Sequence, residues 1–133
     1  MISFTPDLET RIPRIDNQHR ELIRRINNVV ALGDRASGRD ESDRTIALLG
    51  SYIDDHFRDE EELQSKSGYP KFEWHREQHK VYVESFRRLK EDYEKNGPSF
   101  SFTFRLNKSI IEWIVKHIQQ EDADFARFVR SKV

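Results

Sequence analysis

The stretch PKFEWHREQHKVYVESFRRLKEDYEKN, residues 70–96, decides the fold. Apolar side chains and two histidines recur in it at alternating steps of three and four, which is the spacing of one face of an α-helix. Pro70 suits the first turn of such a helix, and Asn96, Gly97 and Pro98 supply a stop signal after it. The predicted inner row of this helix consists of Phe72, His75, His79, Tyr82, Phe86, Leu89 and Tyr93.

The same spacing predicts three further helices on either side of this stretch. The first begins at Asp16, which we interpret as its N-cap, and ends at Gly33. Residues 1–15 contain two prolines and no sustained period, so we expect an extended arm there. We predict a second helix at about 40–65, with a flexible loop at 33–40 before it. A fourth helix presents Leu106, Ile110, Trp113 and His117, and a short amphipathic tail with Phe125, Phe128 and Val129 lies beyond it.

Four helices that each carry one apolar row can bury those rows only by packing them against one another. The sequence therefore predicts an all-α protein, an antiparallel up-and-down four-helix bundle with an N-terminal extended arm and a short C-terminal helical tail. We expect residues 1–133 to form a single domain, because that length suits one modest core.

Composition excludes several classes of function. The chain has 23 Lys and Arg against 24 Asp and Glu, so no overall field attracts nucleic acid or an anionic membrane surface. No stretch approaches the roughly 18 apolar residues of a membrane span. The absence of Cys excludes iron–sulfur clusters, thiolate zinc sites and a cysteine nucleophile, so any metal needs nitrogen and oxygen ligands. We expect a cytoplasmic monomer without nucleic-acid or membrane partners.

All five histidines of the chain fall on the predicted inner rows. Any one of them alone is explained by a buried, hydrogen-bonded histidine, but five together indicate a metal site. His56 with Glu60, and His75 with His79, are i, i+4 pairs that place both side chains on one helix face. Burying an ionised Glu60 costs several kcal/mol unless it is paired or binds a metal, and no Lys or Arg shares its row. The candidate ligands are His19, His56, Glu60, His75, His79, His117 and Asp122.

Asp122 has the weakest spacing of this set. It follows His117 by five residues, and five steps of about 100° leave the two side chains about 140° apart on a regular helix. They converge only if the helix bends or ends between them. Five imidazoles and two carboxylates exceed the ligands of one ion, so we expect two metal ions that share the carboxylates as bridges. Iron, zinc, copper and nickel all suit imidazole, and spacing does not choose among them.

These residues resemble those of the bacterial hemerythrins, four-helix di-iron proteins that bind dioxygen. The resemblance covers nearly the whole chain. It rests on four short motifs in the expected order: IDNQHREL at 15–22, HFRDEE at 56–61, GYP at 68–70 followed by His75 and His79, and WIVKHIQQED at 113–122.

The resemblance implies an oxo- or hydroxo-bridged pair of iron ions and a helix that bends before Asp122. It also implies reversible dioxygen binding at an open position of one iron, for oxygen storage, delivery or sensing. The implied ligands are His75, His79 and His117 for one iron and His19 and His56 for the other, with Glu60 and Asp122 bridging.

The neighbours of the implied centre suggest an oxygen pocket. Ile114 and Ile118 flank His117 and are expected to wall it. Tyr82 either directs its hydroxyl toward bound oxygen or is a core aromatic with a hydrogen-bonded tip, and the second interpretation is preferred. The chain departs from the family at four positions: Phe4 replaces a usual Trp, Arg11 a common Gly, Gln64 a frequent Met and Tyr82 a frequent Phe.

Two alternative functions remain open from the sequence. The same open iron could reduce peroxide or nitric oxide, which would make the protein a di-iron redox enzyme. No residue supplies an obvious acid at the pocket, so we expect a binding protein rather than an enzyme. The chain could also be the sensory domain of a longer signalling protein.

Overall fold

The computed structural model describes residues 2–32 and 38–132. Within them the chain is an antiparallel bundle of four long helices, which confirms the predicted all-α class and architecture. The first three helices are α1 Pro13–Ala31, α2 Arg39–Ser67 and α3 Phe72–Asn96. Most of the predicted 33–40 loop lies outside the described residues.

The fourth helix is continuous over residues 100–131 but changes its winding along its length. Two stretches are π-helical, with backbone hydrogen bonds from i to i+5 instead of i to i+4. The predicted C-terminal tail is the last part of this helix and not a separate element. Its consecutive segments are α4 Phe100–Arg105, π1 Leu106–Glu112, α5 Trp113–His117, π2 Ile118–Asp122 and α6 Ala123–Ser131.

Asp16 is not the N-cap of α1, so that expectation was wrong. The helix begins at Pro13, whose missing N–H costs nothing in the first turn, and Ile12 is the residue before it. The buried carboxylate of Asp16 instead accepts hydrogen bonds from the Thr10 N–H at 2.8 Å and the Thr10 hydroxyl at 2.7 Å. Asp16 therefore fastens the N-terminal arm to the bundle. The arm also contains a short 3-10 turn at Pro6–Leu8.

The junction between α2 and α3 also differs from expectation. Gly68 ends α2 in the left-handed conformation, with φ of 69°. The Tyr69 N–H donates to the Gln64 carbonyl at 3.1 Å and the Gly68 N–H to the Ser65 carbonyl at 3.3 Å, which together form a Schellman motif. Pro70 follows as part of the connection, because α3 begins only at Phe72.

The buried residues form two apolar clusters that lie on either side of the histidines. The larger contains the rows of all four helices, and the smaller is built around Ile15, Tyr69 and Phe125. His79 stacks on Phe57 of the larger cluster at 3.8 Å between ring centroids, and His75 lies 6.4 Å from the ring of Tyr69. None of the described helices is long and apolar enough to cross a membrane.

Two departures noted in the sequence have a structural consequence in the arm. Arg11 has φ of 64°, a conformation that favours glycine because a Cβ crowds the following carbonyl there. This explains why glycine suits the position. Phe4 is half-buried against the larger cluster, and the Arg20 guanidinium lies 4.4 Å from its ring centroid.

Candidate metal centre

The structure brings all the candidate ligands together in the middle of the bundle. None of them is more than 3% exposed. They come from all four helices: His19 from α1, His56 and Glu60 from α2, His75 and His79 from α3, and His117 and Asp122 from the fourth helix.

The segment π2 brings Asp122 to the same side of the fourth helix as His117. The helix does not end between them. In an i to i+5 pattern, residues five apart lie about one turn apart, so the wider winding removes the mismatch of a regular helix. As a result, Asp122 Oδ1 lies 3.2 Å from His117 Nε2.

Glu60 directs its two oxygens toward different histidines. Its Oε1 lies 3.0 Å from His75 Nε2 and 3.1 Å from His79 Nε2. Its Oε2 lies 3.8 Å from His56 Nε2. One carboxylate therefore touches histidines of both α2 and α3.

The two oxygens of Asp122 also face different histidines. Its Oδ1 lies 3.0 Å from His75 Nε2, on the side of His117, and its Oδ2 lies 3.0 Å from His19 Nε2. The ligand atoms thus form two groups, in each of which they lie within 4.8 Å of one another. The groups are Glu60, His75, His79, His117 and Asp122, and His19, His56, Glu60 and Asp122.

The outer nitrogens of two histidines are held by side chains that the sequence did not single out. Gln18 donates through Nε2 to Asp59 at 3.0 Å, so its Oε1 accepts from His56 Nδ1 at 2.8 Å. Glu61 accepts from His79 Nδ1 at 2.8 Å. Both contacts place the ring proton on Nδ1 and leave the Nε2 lone pair directed inward, which is the tautomer that a metal ligand needs.

Glu61 contacts a histidine on another helix, and spacing along α2 does not report such a contact. The only sequence signal for Gln18 is its position beside His19 in the first motif.

These residues fit a metal centre. With protons on the outer nitrogens, the Nε2 atoms of His56 and His79 are acceptors, and they face the acceptor oxygens of Glu60. Buried acceptors that face one another repel unless a proton or a cation lies between them. The Nε2 atoms of His19, His56 and His79 and both oxygens of Glu60 have no hydrogen-bond partner, although they are buried.

The ionisation of these side chains without a metal also favours a cation site. Burial lowers the pKa of His75, but the adjoining carboxylates of Asp122 and Glu60 outweigh burial and raise the pKa to about 10. Burial and the charge of Asp122 raise the pKa of Glu60, but the adjoining rings of His75 and His79 outweigh them and lower it to about 2. Burial lowers the pKa of His56 to about 4. The carboxylates are therefore ionised and require a neighbouring positive charge.

The three residues expected to line an oxygen pocket are all buried. Ile114 and Ile118 are 0% and 1% exposed and lie on either side of His117 along the fourth helix. The Tyr82 hydroxyl donates to the Ile110 carbonyl at 3.0 Å, and its ring stacks on Trp113 at 4.6 Å. This bond favours the interpretation of Tyr82 as a core aromatic with a hydrogen-bonded tip.

Comparison with known proteins now tests the resemblance. The sequence model of the hemerythrin HHE cation binding domain matches residues 10–129, a range that includes every candidate ligand. The chain belongs to the hemerythrin family. Hemerythrin relatives include a bacteriohemerythrin of Clostridium acetobutylicum, 27% identical over 94% of this chain and 98% of that protein. A Pseudomonas aeruginosa bacteriohemerythrin is 29% identical over 93% of this chain and 78% of its own. A myohemerythrin of Theromyzon tessulatum is 27% identical over 82% and 78%.

Proposed function

We propose that this hemerythrin reversibly binds dioxygen at a centre of two iron ions inside the bundle. The observation that carries the proposal is that Glu60 and Asp122 each direct one oxygen at each of two groups of histidines. A carboxylate in that position suits a bridge between two ions. Membership of the hemerythrin family supports iron as the metal.

The proposed ligands divide unevenly between the two ions. One ion would have one histidine fewer, which would leave it room to bind dioxygen. We propose His75, His79 and His117 for the first ion, His19 and His56 for the second, and Glu60 and Asp122 as bridges.

A bound ferrous pair would supply the two electrons that dioxygen takes up when it binds. The residues of this chain hold and orient that pair and keep it dry. Gln18 and Glu61 fix two imidazoles with their Nε2 atoms inward. Five neutral imidazoles against two carboxylates keep the net charge of the centre positive, which disfavours further oxidation of iron and so supports reversible binding.

We propose that Ile114 and Ile118 exclude water from the dioxygen side of the centre. Both are buried beside His117, and an apolar wall without hydrogen-bond donors would slow the loss of bound oxygen as peroxide, which would leave the iron oxidised. Storage, delivery and sensing all use this reversible step. We further propose that residues 1–133 form one domain, which the family match over 10–129 supports.

Iron content and visible absorption test this proposal. The purified protein is loaded with ferrous iron without oxygen, exposed to air and then purged. We expect two iron ions per chain and a charge-transfer band that appears in air and disappears on purging. A matched pair of variants ties the result to the site. Glu60→Gln is expected to lower the iron content, whereas Glu62→Gln, on the exposed face of the same helix, is not.

A one-way change in air contradicts reversible binding. In that case turnover of peroxide or nitric oxide with an electron donor is the next measurement, and it would support the enzyme alternative. One ion per chain in the unaltered protein would contradict the assignment of Glu60 and Asp122 as bridges.

A further inference from the structure

Gln64 is a fully buried side chain for which the centre described above provides no role. It is 0% exposed, and neither Oε1 nor Nε2 has a hydrogen-bond partner. A buried amide that leaves both polar atoms unpaired costs free energy, so such a residue calls for an explanation. Gln64 follows Glu60 by one helical turn and therefore lies on the same face of α2.

The packing of α2 against α3 places Gln64 at the end of the centre where His75 lies. Glu60 Oε1 is 3.0 Å from His75 Nε2 and 3.1 Å from His79 Nε2, so Glu60 lies between these two histidines. The helices are antiparallel, and the step from Glu60 to Gln64 in α2 runs in the same direction along the bundle as the step from His79 back to His75 in α3. Gln64 therefore lies about 6 Å beyond Glu60 on the side of His75.

The end of α2 brings the same residues together independently. In a Schellman motif, the second residue after the helix donates its N–H to the carbonyl of a residue in the last helical turn. The side chains of these two residues commonly pack against each other. Here those two residues are Tyr69 and Gln64. The ring of Tyr69 lies 6.4 Å from the ring of His75, so Tyr69 adjoins both.

His75 lacks an acceptor for its outer ring nitrogen, whereas His56 and His79 each have one. Its Nε2 faces Glu60 and Asp122, whereas its Nδ1 is buried without a partner. A metal-bound histidine almost always donates its other ring N–H to an acceptor, as His56 does to Gln18 and His79 to Glu61.

His19 Nδ1 is also without a partner, but it is too far away to be the group that Gln64 serves. The ring of His19 packs on His56 at 4.9 Å. His56 precedes Gln64 by eight residues, or about 12 Å along the helix.

We propose that Gln64 is the positioning residue of His75. Its Oε1 accepts the hydrogen bond of His75 Nδ1–H, directly or through one water molecule, and so fixes the tautomer that presents Nε2 to the metal. This inference rests on the proposed function, since it gives His75 the role of a metal ligand. It also gives a reason for a buried amide at this position of the chain.

Ferrous iron affinity tests the proposal, measured without oxygen by competition with a chelator. Gln64→Met removes the acceptor at nearly constant volume, and we expect iron to bind about 10-fold more weakly. Gln64→Glu keeps an acceptor and is expected to stay within about twofold of the unaltered protein. Gln18→Met removes the acceptor of the His56 Nδ1–H bond and shows how much iron affinity such a loss costs. Gln120→Met alters an exposed glutamine and is the control, for which we expect no change in affinity.

A second readout does not depend on iron. In protein labelled with 15N at histidine and loaded with diamagnetic zinc, we expect the Nδ1–H proton of His75 to move upfield in Gln64→Met and to keep its position in Gln120→Met. Thermal unfolding of the metal-free variant controls for folding. We expect Gln64→Met to unfold in one cooperative transition like the unaltered protein, so that a change in affinity does not come from a loss of folding.

Two results would overturn the proposal. One is unchanged iron affinity and an unchanged His75 proton in Gln64→Met while Gln18→Met loses affinity. The other is an equal loss in Gln64→Met and Gln64→Glu, because the second variant keeps the acceptor. Failure of the unaltered protein to bind two iron ions would instead contradict the proposed function.

Discussion

Replacing Tyr82 by Phe separates a structural role of its hydroxyl from a role in oxygen binding. The hydroxyl is fully buried and donates to the Ile110 carbonyl at 3.0 Å. Ile110 belongs to π1 and precedes His117 by seven residues, or about 10 Å along the helix. The hydroxyl is therefore bound to the backbone of the fourth helix well away from His117.

The expected change in the free energy of unfolding follows from this one hydrogen bond. Tyr82→Phe leaves the packing unchanged and removes a donor, and a typical hydrogen bond contributes about 0.5–1.5 kcal/mol. The Ile110 carbonyl also accepts from the Trp113 N–H and so does not become unpaired. We expect the free energy of unfolding to fall by about 1 kcal/mol, with no change in the rate of oxygen dissociation beyond about twofold.

Two assays measure the two quantities. Urea denaturation of the metal-free protein gives the free energy of unfolding. A constant m-value shows that the surface area exposed on unfolding is unchanged. Stopped-flow absorption of the oxygen-loaded iron protein gives the dissociation rate. Tyr52→Phe, which alters a partly buried tyrosine under Arg25, is the control and should change neither quantity appreciably. A tenfold faster dissociation with unchanged stability would refute the reasoning and place the Tyr82 hydroxyl at bound oxygen.

Three further predictions follow from the arm and the centre. Arg11→Gly should raise the free energy of unfolding by about 0.5–1 kcal/mol in urea denaturation, since glycine adopts the positive φ without strain; a loss would contradict this. Ile114→Ala should lower the free energy of unfolding by about 2–5 kcal/mol and should speed oxidation of the oxygen-loaded centre, seen as decay of its visible band. A variant as stable as the unaltered protein would show that the site does not need this packing. In the metal-free protein, stability should fall as pH rises from about 6.5, the ordinary pKa of histidine, to about 10, the raised pKa of His75, because the folded state alone holds that proton in this interval. Thermal unfolding at each pH checks this, and His75→Gln should flatten the dependence.

The amino-acid sequence by itself determined the helices, their inner rows and the candidate ligands. These features depend on spacing within one helix, and spacing follows directly from the helical period. A row that contains His75 and His79 can be identified without knowing what it faces. The motifs were also sufficient to suggest the hemerythrin family, which the family match confirmed.

Helix ends were predicted less well, because a capping residue has more than one use. Asp16 has the chemistry of an N-cap, but Pro13 begins the helix and Asp16 binds Thr10 instead. Pro70 has the chemistry of a first helical residue, but it lies in the connection before Phe72. The choice in each case depends on where the neighbouring chain packs.

The contacts between helices were decided only by the tertiary structure. The winding of π2 places Asp122 beside His117, although a regular helix would separate them. Glu61 reaches His79 from another helix and looked like a surface residue on its own. Such contacts depend on the relative rotation and register of packed helices, which are set by the fit of many side chains at once. The sequence therefore named the candidate ligands, and the packing of the bundle decided which histidines each of their two carboxylates faces.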